Sequence, residues 1–253
     1  MPIEGAPAAV EFAEPVLQIL LEDGPLLAIN KPAGLLVQGV PEGIATLESQ
    51  VKQYLKVKYN KPGNVYLGIP HRLDRPVSGV VVFARNSKAA ARLAEQFRER
   101  RVRKTYWAVV EAAPQPAAAT LLDWLLKQHD RAHVEVVAEG QPGAQQAVLH
   151  YRTLSTLNWC GATTPAALLE IELETGRMHQ IRVQLASRGW SIVGDYQYGA
   201  TCGLRDQQPG DSGCEPIALH ACRLNLFHPV RYDELEIAAP LPGSWSQFGI
   251  AGQ

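Results

Sequence analysis

The chain has 253 residues, with 24 lysines and arginines against 25 aspartates and glutamates, and its formal net charge is −1. A composition that is 46% hydrophobic and 19% charged is typical of a globular protein and excludes a disordered or fibrous one. The near-zero charge argues against a protein that binds polyanions through its overall charge. It is compatible with an enzyme whose basic residues are gathered in one place.

The first predicted elements are two short strands and a helix. Apolar runs at residues 17–21 and 26–29 flank a Gly-Pro turn, and this arrangement predicts a β-hairpin. From Thr46 the period changes to that of a helix, and Thr46 is a suitable N-cap. One face of this helix contains Leu47, Val51, Tyr54 and Leu55.

The next elements are two strands with a helix between them. Residues 79–84 are apolar and β-branched, which predicts a buried strand, and residues 105–111 predict another. Ser87 can cap the intervening helix. The apolar face of that helix would contain Ala90, Leu93, Ala94 and Phe97.

In the second half, residues 168–174 alternate with the period of a half-buried strand. Ile181 and Leu185 share a helical face, with Gly189 as the C-cap, and the Gly- and Pro-rich residues 200–216 predict a surface loop. Regular βα alternation and a dividing linker are both missing. We therefore predict a single α+β domain over residues 1–253, with loose termini at about 1–15 and 241–253.

The sequence also limits compartment, cofactor and metal. It lacks the basic start and apolar run of a secretory signal, and no stretch approaches the roughly 18–20 apolar residues of a membrane helix. We expect a cytoplasmic protein with no membrane partner. No glycine motif supports a nucleotide cofactor. A zinc site from Cys202, Cys214, Cys222 and His220 is conceivable, but the usual closely spaced ligand pairs are missing, so we expect no metal.

The positive charge is concentrated between residues 85 and 104. Eight cations and two anions give this window a charge of +6, so the rest of the chain carries −7. The densest part, residues 98–104, could be a solvated helix end. Alternatively it could hold an RNA backbone, because the planar fork of arginine fits phosphate oxygens. The candidate contacts are Arg100, Arg101, Arg103 and Lys104.

Two motifs contain candidate catalytic residues. HRLDRPVSG at residues 71–79 places Asp74 between two arginines, just before a buried strand. This could be a surface ion cluster, or a carboxylate that nearby cations keep ionised for use as a nucleophile or base. ETGRMHQIR at residues 174–182 places Arg177 at a predicted helix start. Each motif alone is only suggestive.

Together with four shorter motifs, they resemble the RluA-type family of RNA pseudouridine synthases from about residue 17 to residue 230. The shorter motifs are NKPAG at 30–34, RKTYWA at 103–108, GDYQYG at 194–199 and LHA at 219–221. All six occur in the family's order, which makes the resemblance specific. It implies the family's catalytic fold, an α+β structure with a mixed, mainly antiparallel sheet flanked by helices and loops.

The resemblance implies an isomerisation of uridine within ribosomal or transfer RNA, with no cofactor or metal and with a protein that acts as a monomer. Asp74 would be the essential carboxylate, either as a nucleophile on the sugar or as a base. Arg177 would pair with it, and Tyr106 would contact the base. Leu219 would form an apolar wall, and Arg72 would fill the space that the uridine leaves. Lys31 would support the site or contact a phosphate, and His71 and His179 would be structural.

Some residues depart from the family pattern. Met178 and Gln184 stand where threonine and histidine are expected, but neither position is assigned chemistry. Many relatives have an RNA-binding domain of the S4 type before the catalytic domain, and here only about 16 residues precede the first predicted strand. We therefore expect the catalytic domain itself to recognise RNA. The alternatives are a non-catalytic RNA-binding or chaperone protein and a hydrolase of glycosidic bonds, since aspartate and arginine suit that reaction too.

Overall fold

A computed structural model of the chain describes residues 17–39, 44–158, 165–204 and 215–250. The strands of the described residues are β1 (Gln18–Asp23), β2 (Leu26–Lys31), β3 (Ser78–Ala84), β4 (Arg103–Val110), β5 (Ala118–Lys127), β6 (Val134–Val137), β7 (Gln145–Leu157), β8 (Ala166–Leu173), β9 (Leu219–Phe227) and β10 (Glu234–Ala238). The α-helices are α1 (Leu47–Lys58), α2 (Ser87–Arg98) and α3 (Gln180–Ala186). Short 3₁₀ helices lie at Tyr196–Tyr198 and Gly243–Phe248.

The ten strands form one sheet in the order β1-β2-β3-β9-β4-β8-β7-β5-β6, and β10 also pairs with β9. All pairs are antiparallel except β3 and β9, which meet in parallel at Ser78–His220 and Gly79–Ala221. The predicted α+β class with a mixed, mainly antiparallel sheet is confirmed. The parallel junction brings the segment before β3, which contains Asp74, beside the start of β9.

The predicted hairpin and first helix are both present. β1 and β2 pair across a turn in which Gly24 has a φ of +51°, a conformation that favours glycine. Thr46 caps α1 by accepting from the Ser49 N–H, and Ser49 returns the bond. α1 buries Leu47, Val51 and Leu55 on the core side, as its periodicity predicts.

α2 differs from its prediction in its cap and in its buried face. Asn86, and not Ser87, is the N-cap, with its Oδ1 accepting from the Ala89 N–H at 2.8 Å. The predicted face is wrong at Ala94, which is exposed, whereas Gln96 is buried. Gln96 exchanges two hydrogen bonds with the backbone of Phe227 at the end of β9, so a polar side chain takes a core position.

β8 follows its prediction, whereas the chain end does not. β8 lies between β4 and β7, and its residues alternate as predicted: Leu169 and Ile171 are buried, while Glu170 and Glu172 are partly exposed. Residues 241–250 are not a loose tail, because Trp245 is 1% exposed and packs against His220. The predicted loose terminus at 1–15 lies outside the described residues, as does most of the 200–216 loop. Among the described helices, none is both long and apolar enough to cross a membrane.

Candidate active site

The segment that contains Asp74 is held by the residues that follow β2. The Gly34 N–H donates to the carbonyl of Arg75 at 2.8 Å, and the Arg75 Nε–H donates to the carbonyl of Gly34 at 2.9 Å. The Val77 N–H closes a turn on the carbonyl of Asp74 at 3.1 Å. These bonds fix the backbone on both sides of the carboxylate.

Lys31 completes this support from inside the protein. Its side chain is fully buried, and Nζ donates to the carbonyls of Pro32, Leu35 and Arg75 at 2.7–3.2 Å. Burial lowers the pKa of Lys31 to about 7, although the negative charge of Asp74 acts in the opposite direction. The ammonium group has no exposed surface with which to bind a phosphate. Its placement therefore corresponds to the supporting role and not to substrate binding.

The cation nearest to Asp74 belongs to Arg182. Its Nη1 lies 3.7 Å from Asp74 Oδ2, and Arg177 forms no ion pair with this carboxylate. The predicted pairing of Arg177 with Asp74 is therefore wrong. Arg177 donates from Nε to the carbonyl of Gln146 at 3.1 Å, and its side chain lines the cleft beside Asp74.

The guanidinium of Arg182 is fixed on every other side. Its Nε and Nη2 donate to the two carboxylate oxygens of Asp195, both at 2.7 Å, and Nη2 also donates to Gln197 Oε1 at 2.9 Å. The guanidinium lies over the ring of Tyr198, 4.9 Å from its centroid. Arg182 and Asp195 are both at least 97% buried. A buried arginine held in this way keeps Nη1 directed at Asp74.

His179 is a second donor facing Asp74. Its Nε2 lies 3.9 Å from Asp74 Oδ2, and its Nδ1 lies 2.8 Å from the hydroxyl of Tyr198. A carboxylate opposite Nε2 favours a proton on that nitrogen, so Nδ1 accepts from Tyr198. The Tyr198 oxygen in turn accepts from the Val134 N–H at 3.0 Å. Burial lowers the pKa of His179, which keeps the ring neutral.

The first cleft, a cavity of about 520 Å³, opens beside Asp74. Its apolar lining includes Leu73, Val77, Tyr106 and Leu219, and its basic lining includes Arg72, Arg98, Arg100, Lys104 and Arg177. Burial and the charge of Asp74 both raise the pKa of Tyr106, so its hydroxyl stays protonated. The cleft thus offers apolar walls for a base and cations for phosphates, with one carboxylate at their junction.

The basic window of residues 85–104 does not form a single contact surface. Arg98, Arg100 and Lys104 line the first cleft. Arg101 pairs with Glu99 at 2.9 Å, while Arg103 is exposed at the start of β4 and is outside the lining. Arg85 pairs with Glu22 of β1 at 2.9 Å. The window divides because its cations lie on α2, on the segments at either end of α2 and at the start of β4.

His71 has a structural position in the wall of this cleft. Its ring stacks on Phe97, with centroids 4.6 Å apart, and its Nε2 accepts from the Val82 N–H at 3.0 Å. Burial lowers the pKa of His71 to about 3. A neutral histidine that accepts from a strand N–H anchors the segment before Asp74 to β3.

Comparison with known proteins identifies the family and the fold. A sequence model described as RNA pseudouridylate synthase matches residues 25–187. The chain belongs to this family. It is 34% identical over 248 residues to tRNA pseudouridine synthase C of Salmonella typhimurium, covering 94% of this chain and 92% of that protein. It is 32% identical to ribosomal large subunit pseudouridine synthase D of Zymomonas mobilis, covering 93% of this chain and 73% of the relative.

A solved structure gives the same result. Human RNA pseudouridylate synthase domain containing 4 superposes with a TM-score of 0.70 at 29% identity, covering 92% of this chain and 93% of that one. The family and the reaction that the motifs indicate are confirmed. The chain is an RNA pseudouridine synthase, an isomerase that converts uridine in RNA to pseudouridine.

No role for Arg182, Asp195 or Tyr198 in this pseudouridine synthase was predicted from the sequence. All three lie within the motifs at residues 174–182 and 194–199. The motifs therefore indicate the region of the site but not which of their side chains contact one another. The described residues contain no group of three or more His, Cys, Asp or Glu side chains placed to hold a metal. His220 bonds Ser78 and the carbonyl of Ala239, and Cys214 of the conceivable zinc set lies outside the described residues.

Proposed function

We propose that Asp74 is the carboxylate that reacts with the target uridine, and that Arg182 holds it ionised and oriented. The observation that supports this is the buried guanidinium, which Asp195 and Gln197 hold with Nη1 only 3.7 Å from Asp74. A carboxylate that keeps one fixed cation and stays partly exposed to a cleft can attack a sugar carbon or remove a proton.

The remaining lining residues take roles set by their chemistry. In the isomerisation the bond from ribose C1′ to N1 breaks, a bond from C1′ to C5 forms, and the C5 proton is replaced by one at N1. Tyr106, whose pKa is raised, would contact the base as a phenol and relay the C5 proton rather than act as a phenolate. Leu219 would pack against the base. Arg177, Arg100 and Lys104 would bind phosphates from the basic side of the cleft.

Arg72 is the residue that would take the uridine's place in the RNA stack. Its side chain is exposed and lies two residues before Asp74, in the lining of the first cleft. An enzyme that reacts with a base inside folded RNA must remove it from the stack, and a planar guanidinium can occupy the gap.

Transfer RNA is the substrate that we propose. The relative covered over 92% of its length is named tRNA pseudouridine synthase C, whereas the ribosomal relative is covered over 73%. We also propose that the protein acts as a monomer in the cytoplasm. Pseudouridine mapping of transfer and ribosomal RNA, with and without the gene, tests the substrate. A difference confined to ribosomal RNA would contradict the choice of transfer RNA.

Asp74→Asn tests the catalytic role directly. The wild-type protein should release tritium from transfer RNA labelled at uridine C5. Asp74→Asn should release none while its RNA affinity stays within about threefold, because the amide keeps the shape of the site but removes the nucleophile. Asp233→Asn is the matched control, since its carboxylate lies on the surface at the β9–β10 turn. Tritium release by Asp74→Asn at the wild-type rate would exclude Asp74 as the reacting group.

A further inference from the structure

A second cleft, a cavity of about 810 Å³, adjoins the first at Asp74. Both cavities are lined by Arg72, Leu73, Asp74, His179 and Arg182. Beyond these shared residues, the second cleft is lined by residues 36–39, 75–76, 131–133 and 194–197. The reacting carboxylate therefore lies at the boundary of two cavities and not at the closed end of one.

The second cleft carries an excess of positive charge. Arg72, Arg75 and Arg131 line it and are exposed. Arg182 and Asp195 also line it, but they neutralise each other, which leaves Asp74 and Glu215 as its other acids. Since Asp74 faces Arg182 as well, the three exposed arginines outweigh the acidic lining.

Unlike several arginines elsewhere on the surface, these three form no ion pair in the part of the chain that the structure describes. Within the described residues, Arg72, Arg75 and Arg131 have no carboxylate within 4 Å. In contrast, Arg152, Arg188 and Arg231 pair with Glu170, Asp123 and Asp23. The Nε–H groups of Arg75 and Arg131 are used within the protein, but without a carboxylate partner their Nη–H donors remain for an external anion. The lining of the second cleft is thus suited to a ligand with phosphate groups.

The wall that contains Arg131 is fixed in place. Arg131 Nε donates to Gln128 Oε1 at 2.5 Å, within a turn closed by the Gln128 N–H on the carbonyl of His133. Gln197 ties this turn to the catalytic network, because it donates to the carbonyl of Ala132 at 2.7 Å and accepts from Arg182. Donors held before binding lose less conformational entropy when the ligand arrives.

We propose that the second cleft binds the RNA nucleotides adjoining the target uridine on one side, with Arg75 and Arg131 contacting their phosphates. The proposal rests on the proposed function, in which the uridine enters the first cleft and meets Asp74. The polynucleotide must continue beyond that point, and the second cleft is the cavity that begins there. The rings of His133 and Tyr196 line it and provide faces on which unstacked bases can pack.

Arg131→Gln tests the contact, because its exposed side chain can be changed without disturbing the core. Lys56→Gln, an exposed charge on α1 that lines neither cleft, is the matched control. With uncut transfer RNA we expect Arg131→Gln to weaken binding about tenfold, the effect of losing one charged hydrogen bond. The slope of log affinity against log salt should become shallower by about 0.7–0.9, the value of one phosphate contact. Lys56→Gln should change neither quantity.

Shortened RNA locates the contact. Two sets of RNA, cut back to the target uridine from the 5′ side or from the 3′ side, are titrated against the wild-type protein and Arg131→Gln. One set should bind both proteins with equal affinity, because it lacks the nucleotides that would occupy the second cleft. With the other set, Arg131→Gln should still bind more weakly than the wild type. Wild-type affinity of Arg131→Gln for uncut RNA, or an equal loss with both sets, would overturn the proposal. Tritium release from uncut RNA by the wild type reports on the proposed function separately.

Discussion

Asp195 fixes the orientation of the Arg182 side chain, although Asp195 itself does not line the first cleft. We expect Asp195→Asn to lower kcat on the order of a hundredfold with little change in KM, because Nη1 loses its fixed position opposite Asp74. The variant should also lose about 3–5 kcal/mol of unfolding free energy, since a buried charge is left without its partner. Steady-state kinetics at a temperature where the variant is folded checks the first expectation.

Asp123→Asn is the control for that experiment. Asp123 also binds an arginine through both carboxylate oxygens, accepting from Arg188 at 3.0 and 3.1 Å, but this pair does not contact Asp74. It should lose stability without a comparable loss of kcat. A kcat for Asp195→Asn no lower than that of Asp123→Asn would show that Arg182 needs no such support.

The residues of the site are only partly predictable from the sequence. The motif at residues 174–182 has two arginines; Arg177 was predicted to pair with Asp74, whereas the cation near Asp74 is Arg182. The outcome depends on His179, which adopts a left-handed conformation with a φ of +52° and begins α3. That turn directs Arg182 inward and leaves Arg177 against Gln146. A positive φ at a non-glycine residue is uncommon, so no local pattern predicts it.

The parallel junction of β3 and β9 is the element contact that positions the site, and Gly79 allows it. Gly79 has a φ of +120°, and a Cβ there would lie 2.3 Å from the carbonyl oxygen of Ala221. We expect Gly79→Ala to lower the unfolding free energy by about 3 kcal/mol or more, because the two strands must separate and the backbone is strained. Urea denaturation measures the change, and activity should fall with it.

Gly63→Ala is the matched control, because a Cβ at Gly63 meets nothing within 4 Å. Its urea midpoint should stay close to that of the wild type. If Gly79→Ala had the same midpoint as Gly63→Ala, the close approach of β3 and β9 would not limit stability.

An element was predictable where a helical periodicity begins at a suitable N-cap residue, as in α1. Strands were not predictable where neighbouring strands of the sheet determine which side chains are buried. No element is predicted from sequence for residues 112–165, where β5, β6 and β7 lie; in β5, for example, a buried Leu121 is followed by a 55% exposed Leu122. The buried face of α2 differs from the predicted one because Gln96 forms hydrogen bonds with the backbone of β9. The two segments are far apart along the chain, so no local sequence pattern indicates this contact.

At the scale of the whole molecule, the net charge of −1 conceals where the cations lie. Within the window of +6, Arg98, Arg100 and Lys104 line the first cleft, whereas Arg85 and Arg101 pair with acids. Arg75 and Arg131, from outside that window, add the positive lining of the second cleft. The charge available to RNA is therefore set by the fold, which gathers separate segments around Asp74, and not by one basic run.

Buried neutral histidines make the stability of the whole molecule sensitive to acid. His220 is fully buried between Ser78 Oγ at 2.8 Å and the carbonyl of Ala239, and burial lowers its pKa to about 4; the pKa of His71 falls to about 3. The unfolded chain, in which both pKa values return to about 6.5, binds more protons below that pH. The stability that these two histidines contribute is therefore complete above pH 6.5, and it falls as the pH drops until each folded-state pKa is reached.

Unfolding free energy measured in urea between pH 6.5 and pH 4.5 checks this expectation. Each histidine should contribute a slope of up to about 1.4 kcal/mol per pH unit. Glu22, whose pKa is lowered to about 2 despite an opposing effect of burial, adds its own loss only below pH 4.5. His220→Gln can keep a donor toward Ala239, and it should remove the contribution of one histidine to the slope. His129→Gln, on the exposed β5–β6 turn, is the control and should leave the slope unchanged. A slope that His220→Gln leaves unchanged would mean that His220 gains no proton on unfolding in this range.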